Sequence, residues 1–339
     1  MRITLLGFGT VGRAFATILR DQARNLVSVF GLRPQLVAVV DSRGAAISPS
    51  GLDIETVLRV KAERGSVSYS PQQGRPGITG VEVLEELDTD VVIETTPTDI
   101  ETGGLGLTYI ETALRRKCHV ITTNKGPLAV ALPALMEQAA YNGVLLRFSG
   151  TVGGGTPILT LGKHCLNGDR LLSVQGILNG TTNFILSKMA ESGTPLNEAL
   201  REAQDAGYAE ADPTYDVEGI DAAAKLVIIA NWLMDRRITI KDVDITGILG
   251  VTSQTVREAR RRNEAVKLIC SIEGDAVEVK PRSIPITHPL CVGGTLNAVT
   301  FRTEYAGEIT IVGHGAGGVQ TAGAVLRDLI DIRMHLIVS

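Results

Sequence analysis

Hydrophobic positions follow two different rhythms along this chain. Up to about residue 148, short apolar runs alternate with stretches in which hydrophobic residues recur every three or four positions. The runs Arg2–Leu6, Leu36–Val40, Val91–Ile93, His119–Ile121 and Val144–Phe148 predict strands. The periodic stretches predict a helix through Ala14, Phe15, Ile18 and Leu19, and others at Asp53–Glu63, Val81–Leu87, Leu105–Lys117 and up to Tyr141. Strand and helix in alternation predict an α/β unit with a parallel sheet. Ser42–Gly80 reads as long and irregular apart from its one helix. Beyond Ser149 the rhythm changes to a strand at Leu172–Ile177, the turn Leu178-Asn179-Gly180, helices from Thr181 or Thr182 and at Leu196–Ala206, and another at Ser253–Arg262. The β-branched, alternating runs Ala265–Ile272, Ala276–Lys280 and Thr295–Thr303 predict an antiparallel sheet, so this part is an α+β unit. A strand at Ile309–Val312 and a helix at Val319–Ile330 restore the first style and are expected to pack back on the first domain. The expected domains are 1–148, 149–306 and a returning segment, 307–339.

The first strand runs into Gly7-Phe8-Gly9-Thr10-Val11-Gly12, which opens a helix, and the second strand ends in Asp41. Strand, glycine turn, helix, strand and acid in that order mark a Rossmann-like dinucleotide-binding unit. Gly7 makes the tight turn, Gly9 admits a pyrophosphate to the backbone, and Gly12 lets helix and strand pack closely. The phosphates then meet the free N–H groups of a helix N-terminus. Asp41 lies further past the last glycine than the usual spacing of about 20 residues, so the first helix or the loop after it is long. It is placed to hydrogen-bond an adenosine ribose, as for NAD, while Arg43 is placed to hold a 2′-phosphate, as for NADP. The cofactor is therefore read as NAD(P). Strand ends of a parallel sheet face the ligand crevice, which brings in Glu94–Thr98, with Thr96, and Thr122–Lys125. A second GxGxxG at 313–318 is not read as a second nucleotide site, because no further strand with an acid follows it.

Gly207–Leu233 carries Glu210, Asp212, Asp216, Glu218, Asp221 and Lys225 straight into a strongly apolar run. Asp221 and Lys225 are four apart and share a helix face, at the edge of the arc Val217, Ile220, Ala224, Val227 and Ile228. That spacing fits an exposed ion pair, or a half-buried pair aimed at whatever the helix packs against. Ala222–Leu233 leaves almost no polar face for solvent, which favours the second. The bend Thr151-Val152-Gly153-Gly154-Gly155-Thr156-Pro157 reads as a hinge, or as converging carbonyls for a hard cation.

Composition narrows the function classes. At 339 residues the chain has room for two cores, and its 44% hydrophobic and 21% charged content is that of an ordinary globular protein. A net charge of −4 with no long basic block argues against nucleic-acid and anionic-membrane partners. No apolar run has the length of a membrane span and Ile3–Leu6 is too short for a signal peptide, so a cytoplasmic address is expected. The four cysteines are scattered without metal-ligand or disulfide spacing.

Five motifs together resemble the homoserine dehydrogenases over nearly the whole chain. They are GFGTVG at 7–12, TTNKGP at 122–127, GTVGGGTP at 150–157, GYAEADPTYDVEGIDAAAKL at 207–226 and GAGGVQTAGAVLRDL at 315–329. The long fourth motif is the most specific. The resemblance implies a two-domain homodimer that interconverts L-aspartate 4-semialdehyde and L-homoserine with NAD(P)(H), in threonine, methionine and isoleucine biosynthesis. It implies that Lys225 is the catalytic lysine, that Asp221 is the aspartate one turn before it, and that Glu210 and Asp216 hold substrate. Lys125 matches a lysine near nicotinamide and substrate, and Gly207 and Gly315 match positions beside the cofactor. It also implies a sodium ion on the carbonyls of Val152, Gly154 and Thr156; many members add a glutamate where this chain has Ser149. No regulatory domain is expected after the closing helix. The residue types suit hydride transfer, since an ammonium can stabilise charge on a carbonyl oxygen and then donate a proton to it.

Two other readings fit parts of the chain. An aldehyde dehydrogenase needs a cysteine beside a histidine base, and Cys118-His119 and His164-Cys165 supply such neighbours. A nucleotide-sensing protein would retain the dinucleotide unit alone. Lys225, Asp221 and Glu210 together favour the enzyme.

Overall fold

In the computed structural model, which describes residues 1–338, the chain divides into two units, Met1–Thr151 with the segment from Gly317 onward, and Val152–Ala316. The first unit is built on β1 (Arg2–Leu6), whose Ile3, Leu5 and Leu6 are fully buried. α1 (Thr10–Phe30) follows and buries Phe15, Ala16, Leu19 and Leu26. It stops where Gly31 takes a left-handed conformation and returns its N–H to Val27, as helix C-caps commonly do. At 21 residues this helix accounts for the distance from the glycine turn to Asp41.

β2 (Gln35–Asp41) pairs parallel with β1. The segment expected to be irregular instead extends the sheet, with β3 (Gly44–Ile47) antiparallel to β2. It continues through α2 (Ile54–Arg64), capped by Asp53, to β4 (Gly74–Pro76), antiparallel to β3. These strands are too short to show alternation, so tertiary pairing and not local pattern makes them. α3 (Gly80–Glu86) begins with a capping box of Thr79 and Glu82. β5 (Val91–Glu94), α4 (Gly104–Arg115), β6 (His119–Thr122), α5 (Lys125–Tyr141) and the short β7 (Leu146–Arg147) complete the run. The strand order is β4-β3-β2-β1-β5-β6-β7. The winding reverses between β1 and β5, the switch point where doubly wound sheets bind ligands at their strand C-termini.

The second unit begins with the glycine bend and a helical turn, α6 (Ile158–Thr160). β8 (Leu171–Ile177) leads to α7 (Gly180–Ser192), α8 (Leu196–Asp205), the single turn α9 (Thr214–Val217) and α10 (Ile220–Leu233). The sheet is completed by β9 (Asp244–Ile245), β10 (Glu264–Glu273), β11 (Ala276–Pro285), β12 (Leu296–Thr303) and β13 (Glu308–His314), with α11 (Ser253–Arg261) before β10. Its order is β13-β12-β8-β10-β11-β9, antiparallel except where β11 meets β9. β13 pairs with β12 from Glu308 to His314, so the return to the first unit begins at 317 and not at 307. The ladder holds those residues where apolar content alone suggested the first domain. α12 (Gly318–Val338) then buries Ala322, Val325, Leu329 and Ile332 in the first unit's core beside Phe15, Leu19 and Leu26. No helix among the described residues is long and apolar enough to cross a membrane.

Candidate functional site

The glycine turn of the first unit is shaped as a cradle. Gly7 has φ +92°, and a Cβ there would sit 2.6 Å from the Thr95 carbonyl oxygen, across the switch point on the loop after β5. A Cβ on Gly12 would lie 2.3 Å from the Gly7 carbonyl oxygen, so only glycine lets α1 pack this closely. At Gly9 a Cβ would meet nothing within 4 Å. The turn is therefore closed on its protein side and open at the helix N-terminus, where Gly9 offers no side-chain cap to the first N–H groups of α1. Those donors suit an anion, and the cradle fits a dinucleotide pyrophosphate. Phe8 is buried beneath it, while Thr10 is exposed and Val11 half-buried. Gly318, at the start of α12, lies against the Thr10 methyl, which is where the returning segment meets the turn.

Asp41, expected to receive a ribose, is engaged within the protein. One oxygen accepts the Lys61 ammonium at 2.7 Å and the Val67 N–H at 3.0 Å; the other accepts the Ser66 hydroxyl at 2.9 Å and the Arg43 N–H at 3.0 Å. Its side chain is only 4% exposed. Burial pushes the carboxyl up, but Lys61 and the other donors outweigh it and hold it below the usual carboxylate range. A ribose hydroxyl would have to displace one of four donors to reach this carboxylate. Arg43 is exposed on the β2–β3 turn. Lys61 was not singled out in the sequence, because its partner lies 20 positions earlier on another element.

Two strand-end loops are tied together by Glu94, the last residue of β5. This fully buried carboxylate accepts the Thr122 hydroxyl at 2.6 Å, the Thr96 N–H at 2.8 Å and the Thr96 hydroxyl. Burial pushes its pKa up against those hydrogen bonds. Asn124 caps α5 through the Gly126 N–H and donates to the Pro97 carbonyl at 3.2 Å, which sets half-buried Lys125 as the first residue of that helix. Thr96 and Lys125 thus stand on neighbouring loops at the strand C-termini, with the Thr96 hydroxyl directed to Glu94. The sequence places Glu94 at a strand end facing the crevice, but its tying of the two loops rests on bonds to Thr122 that no adjacent residues show.

In the second unit Asp221 and Lys225 form a direct ion pair of 2.7 Å on α10. The pair was expected at the half-buried edge of an apolar arc. It is instead buried, Asp221 being 8% and Lys225 7% exposed, because Asp221 through Ala230 are covered on every side. The Lys225 ammonium also donates to the Leu178 carbonyl at 2.7 Å. Asn179 follows at the N-cap of α7: its amide NH₂ donates to Asp216 at 2.5 Å and to Asp221 at 2.9 Å. Asp216 is pushed above the usual carboxylate range, first by burial and then by the Asp221 charge. Asn179 carries no charge and sits in a turn, so nothing in the sequence marked it.

Glu210 is exposed on the loop after α8, and it makes no side-chain bond to this cluster. The loop is joined to α7 by the Thr181 hydroxyl, which donates to the Tyr208 carbonyl at 2.8 Å, and by the Phe184 and Tyr208 rings, 5.0 Å apart. Gly207 turns the chain there with φ +74°. Gly315 has the Asn297 amide packed over it, so a Cβ would lie 2.1 Å from that side chain.

The glycine bend is held by the Thr156 N–H donating to the Gly153 carbonyl, while the Thr156 carbonyl already accepts the Ile158 N–H, both at 2.8 Å. No group of three or more acidic, histidine or cysteine side chains among the described residues is placed to hold a metal. The Ser149 N–H donates to Asp328 at 2.9 Å. Val152, Gly154 and Thr156 therefore offer carbonyls, one of them engaged, and no carboxylate. Cys118 is buried, its thiol pushed up by burial and donating to the Thr89 carbonyl at 3.2 Å, which removes it as an activated nucleophile.

Comparison with known proteins bears on both units. Residues 7–149 match the family model described as homoserine dehydrogenase, NAD binding domain, and residues 157–330 match the one described as homoserine dehydrogenase. The chain is 44% identical to the homoserine dehydrogenase of Methanocaldococcus jannaschii over 98% of each chain. A crystal structure of a putative homoserine dehydrogenase from Archaeoglobus fulgidus superposes with a TM-score of 0.91 at 40% identity, covering 98% of this chain and 99% of that one. A hyperthermophilic archaeal homoserine dehydrogenase in complex with NADPH gives 0.86 at 30% identity over 98% of each chain.

Proposed function

This chain belongs to the homoserine dehydrogenase family of NAD(P)-dependent oxidoreductases, and on that premise we propose that it interconverts L-aspartate 4-semialdehyde and L-homoserine with Lys225 as the proton donor and acceptor. The observation that carries the lysine's role is its buried pairing with Asp221 at 2.7 Å, with the Leu178 carbonyl as the second anchor. A lysine held this way has one remaining N–H to present to a substrate oxygen.

Bound nicotinamide would supply or accept the hydride at the substrate carbon. In reduction, Lys225 stabilises the charge growing on the aldehyde oxygen and delivers its proton there. In oxidation, the neutral amine takes the proton from the hydroxyl. Asp221 orients the ammonium, while Asp216 and Glu210 hold the substrate α-ammonium and so fix the reacting carbon. Gly7–Gly12 hold the pyrophosphate, with Thr96 and Lys125 on the strand-end loops of the same unit beside the cofactor. Arg43, exposed on the β2–β3 turn, attracts a 2′-phosphate, which makes NADP acceptable beside NAD. A homodimer in the cytoplasm, serving threonine, methionine and isoleucine biosynthesis, completes the proposal.

The test is oxidation of L-homoserine by the purified protein with NAD and with NADP, followed by absorbance of the reduced nicotinamide. Steady reduction of either supports the reading; no reduction with either coenzyme, by folded protein that binds it, contradicts it.

A further inference from the structure

Three charged groups of the second unit meet around one neutral side chain. Asn179 is 4% exposed and all of its amide is committed. Its oxygen accepts the Thr182 N–H at 2.8 Å and the Thr182 hydroxyl at 2.9 Å, which caps α7. Its NH₂ donates one bond to Asp216 and one to Asp221. The opposite orientation is excluded, because the amide oxygen would then face two carboxylates and the NH₂ would face a donor N–H. Asp221 in turn accepts Lys225 at 2.7 Å through the same oxygen that accepts Asn179.

We propose that Asn179 is a positioning residue for the reaction: by giving one N–H to each aspartate, it keeps two carboxylates ionised beside a single ammonium and so fixes the orientation of Lys225. This rests on the reading of Lys225 as the proton-transfer group. Two buried carboxylates next to each other raise each other's pKa, and a donor shared between them opposes that. Asp216 shows the balance: burial and the Asp221 charge push it up, while Asn179, Lys225 and the Thr181 hydroxyl pull it down. From β10, Cys270 also faces the pair, but its thiol is pushed up to about 12 by burial and stays protonated. Removing the Asn179 donor takes away a group that both carboxylates share, so Asp216 and Asp221 protonate at higher pH and Lys225 loses its fixed partner.

Asn179→Ser separates this role from helix capping. Serine is a good N-cap and keeps the acceptor for Thr182, but it is too short to bridge both aspartates. In semialdehyde reduction, where Lys225 works as the ammonium and the acidic limb reports the carboxylates, kcat for this variant is expected to fall about tenfold or more, with that limb of its pH profile moved up by about one unit. KM for the coenzyme stays within about twofold, and thermal stability stays near wild type. Asn179→Asp also keeps the cap acceptor but adds a third negative charge, and it moves the limb further in the same direction. Should the serine variant not fold, the aspartate variant reads the same limb. An acidic limb that coincides with wild type in the folded variants overturns the proposal, whatever happens to kcat. Lys225→Ala is run alongside. Activity retained there removes the lysine reading and this proposal with it; activity lost there, with an unmoved limb in the Asn179 variants, overturns the positioning role alone.

Discussion

Replacing Asp41 by asparagine distinguishes an internal strut from a ribose hook. The wild-type carboxylate accepts four hydrogen bonds, the strongest from Lys61 at 2.7 Å, in a side chain 4% exposed. An asparagine oxygen serves at most two of those donors, and its NH₂ must face the other two. The less costly orientation keeps the oxygen toward Lys61 and Val67 and turns the NH₂ toward Ser66, whose hydroxyl can rotate to accept. The Arg43 N–H is then left without its acceptor, and Lys61 faces a neutral group. Loss of a charged partner in a buried pair costs about 3–5 kcal/mol, and since Lys61 remains 18% exposed, about 3 is the working figure. For a unit of this size that corresponds to a fall in Tm of roughly 6–12 °C at pH 7, at about 2–4 °C per kcal/mol. The Asp41 pKa is depressed in the fold, so its contribution is present above the unfolded carboxylate value and is lost as pH falls through the lower folded one. The gap between the two proteins, measured by calorimetry, is therefore wide at pH 7 and narrows below about pH 4. A Tm within about 2 °C of wild type at pH 7, together with a large loss of NAD affinity, would refute the reasoning and restore Asp41 as a ribose ligand.

Other substitutions probe the cradle and the core separately. Gly9→Ala enters space that meets no protein atom, so it should leave stability unchanged while weakening coenzyme binding by titration. Gly12→Ala places a methyl 2.3 Å from the Gly7 carbonyl oxygen and should cost about 1–3 kcal/mol of stability as well; similar stability losses in both variants would contradict the cradle. Arg43→Ala should weaken NADP much more than NAD, and equal effects would show that Arg43 does not read the 2′-phosphate. Asp328 is pushed up to about 6, first by burial, so the fold favours its protonated form and its contribution is lost as pH rises through about 6. The wild-type Tm should therefore decline between about pH 4.5 and 7, and Asp328→Asn should remove that contribution; identical declines would contradict it.

Much of the first unit was legible because its signals are local. A strand running into glycines and then a helix is readable from a few adjacent residues, and the structure puts Gly7 and Gly12 where only glycine fits. What escaped was set by distant partners. β3 and β4 are four- and three-residue strands that exist because β2 pairs with β3 and β3 with β4. β13 looks like the start of a new α/β repeat, yet seven register pairs hold it to β12. At the candidate site the spacing of Asp221 and Lys225 was visible, and its burial was not, since all-round coverage of α10 comes from other elements. The roles of Asn179 and Glu94 went unread for one shared reason. Their roles lie in hydrogen bonds to residues 37, 42 and 28 positions away, and no local pattern encodes those.

Lys225 carries the account, and one substitution tests it. Lys225→Ala, compared with wild type in homoserine oxidation at saturating coenzyme, should lower kcat by roughly 100-fold or more, the usual worth of a positioned acid–base group. Coenzyme affinity, measured by fluorescence titration on the same folded preparation, should stay within about twofold. A folded Lys225→Ala protein that keeps most of its kcat would contradict the assignment.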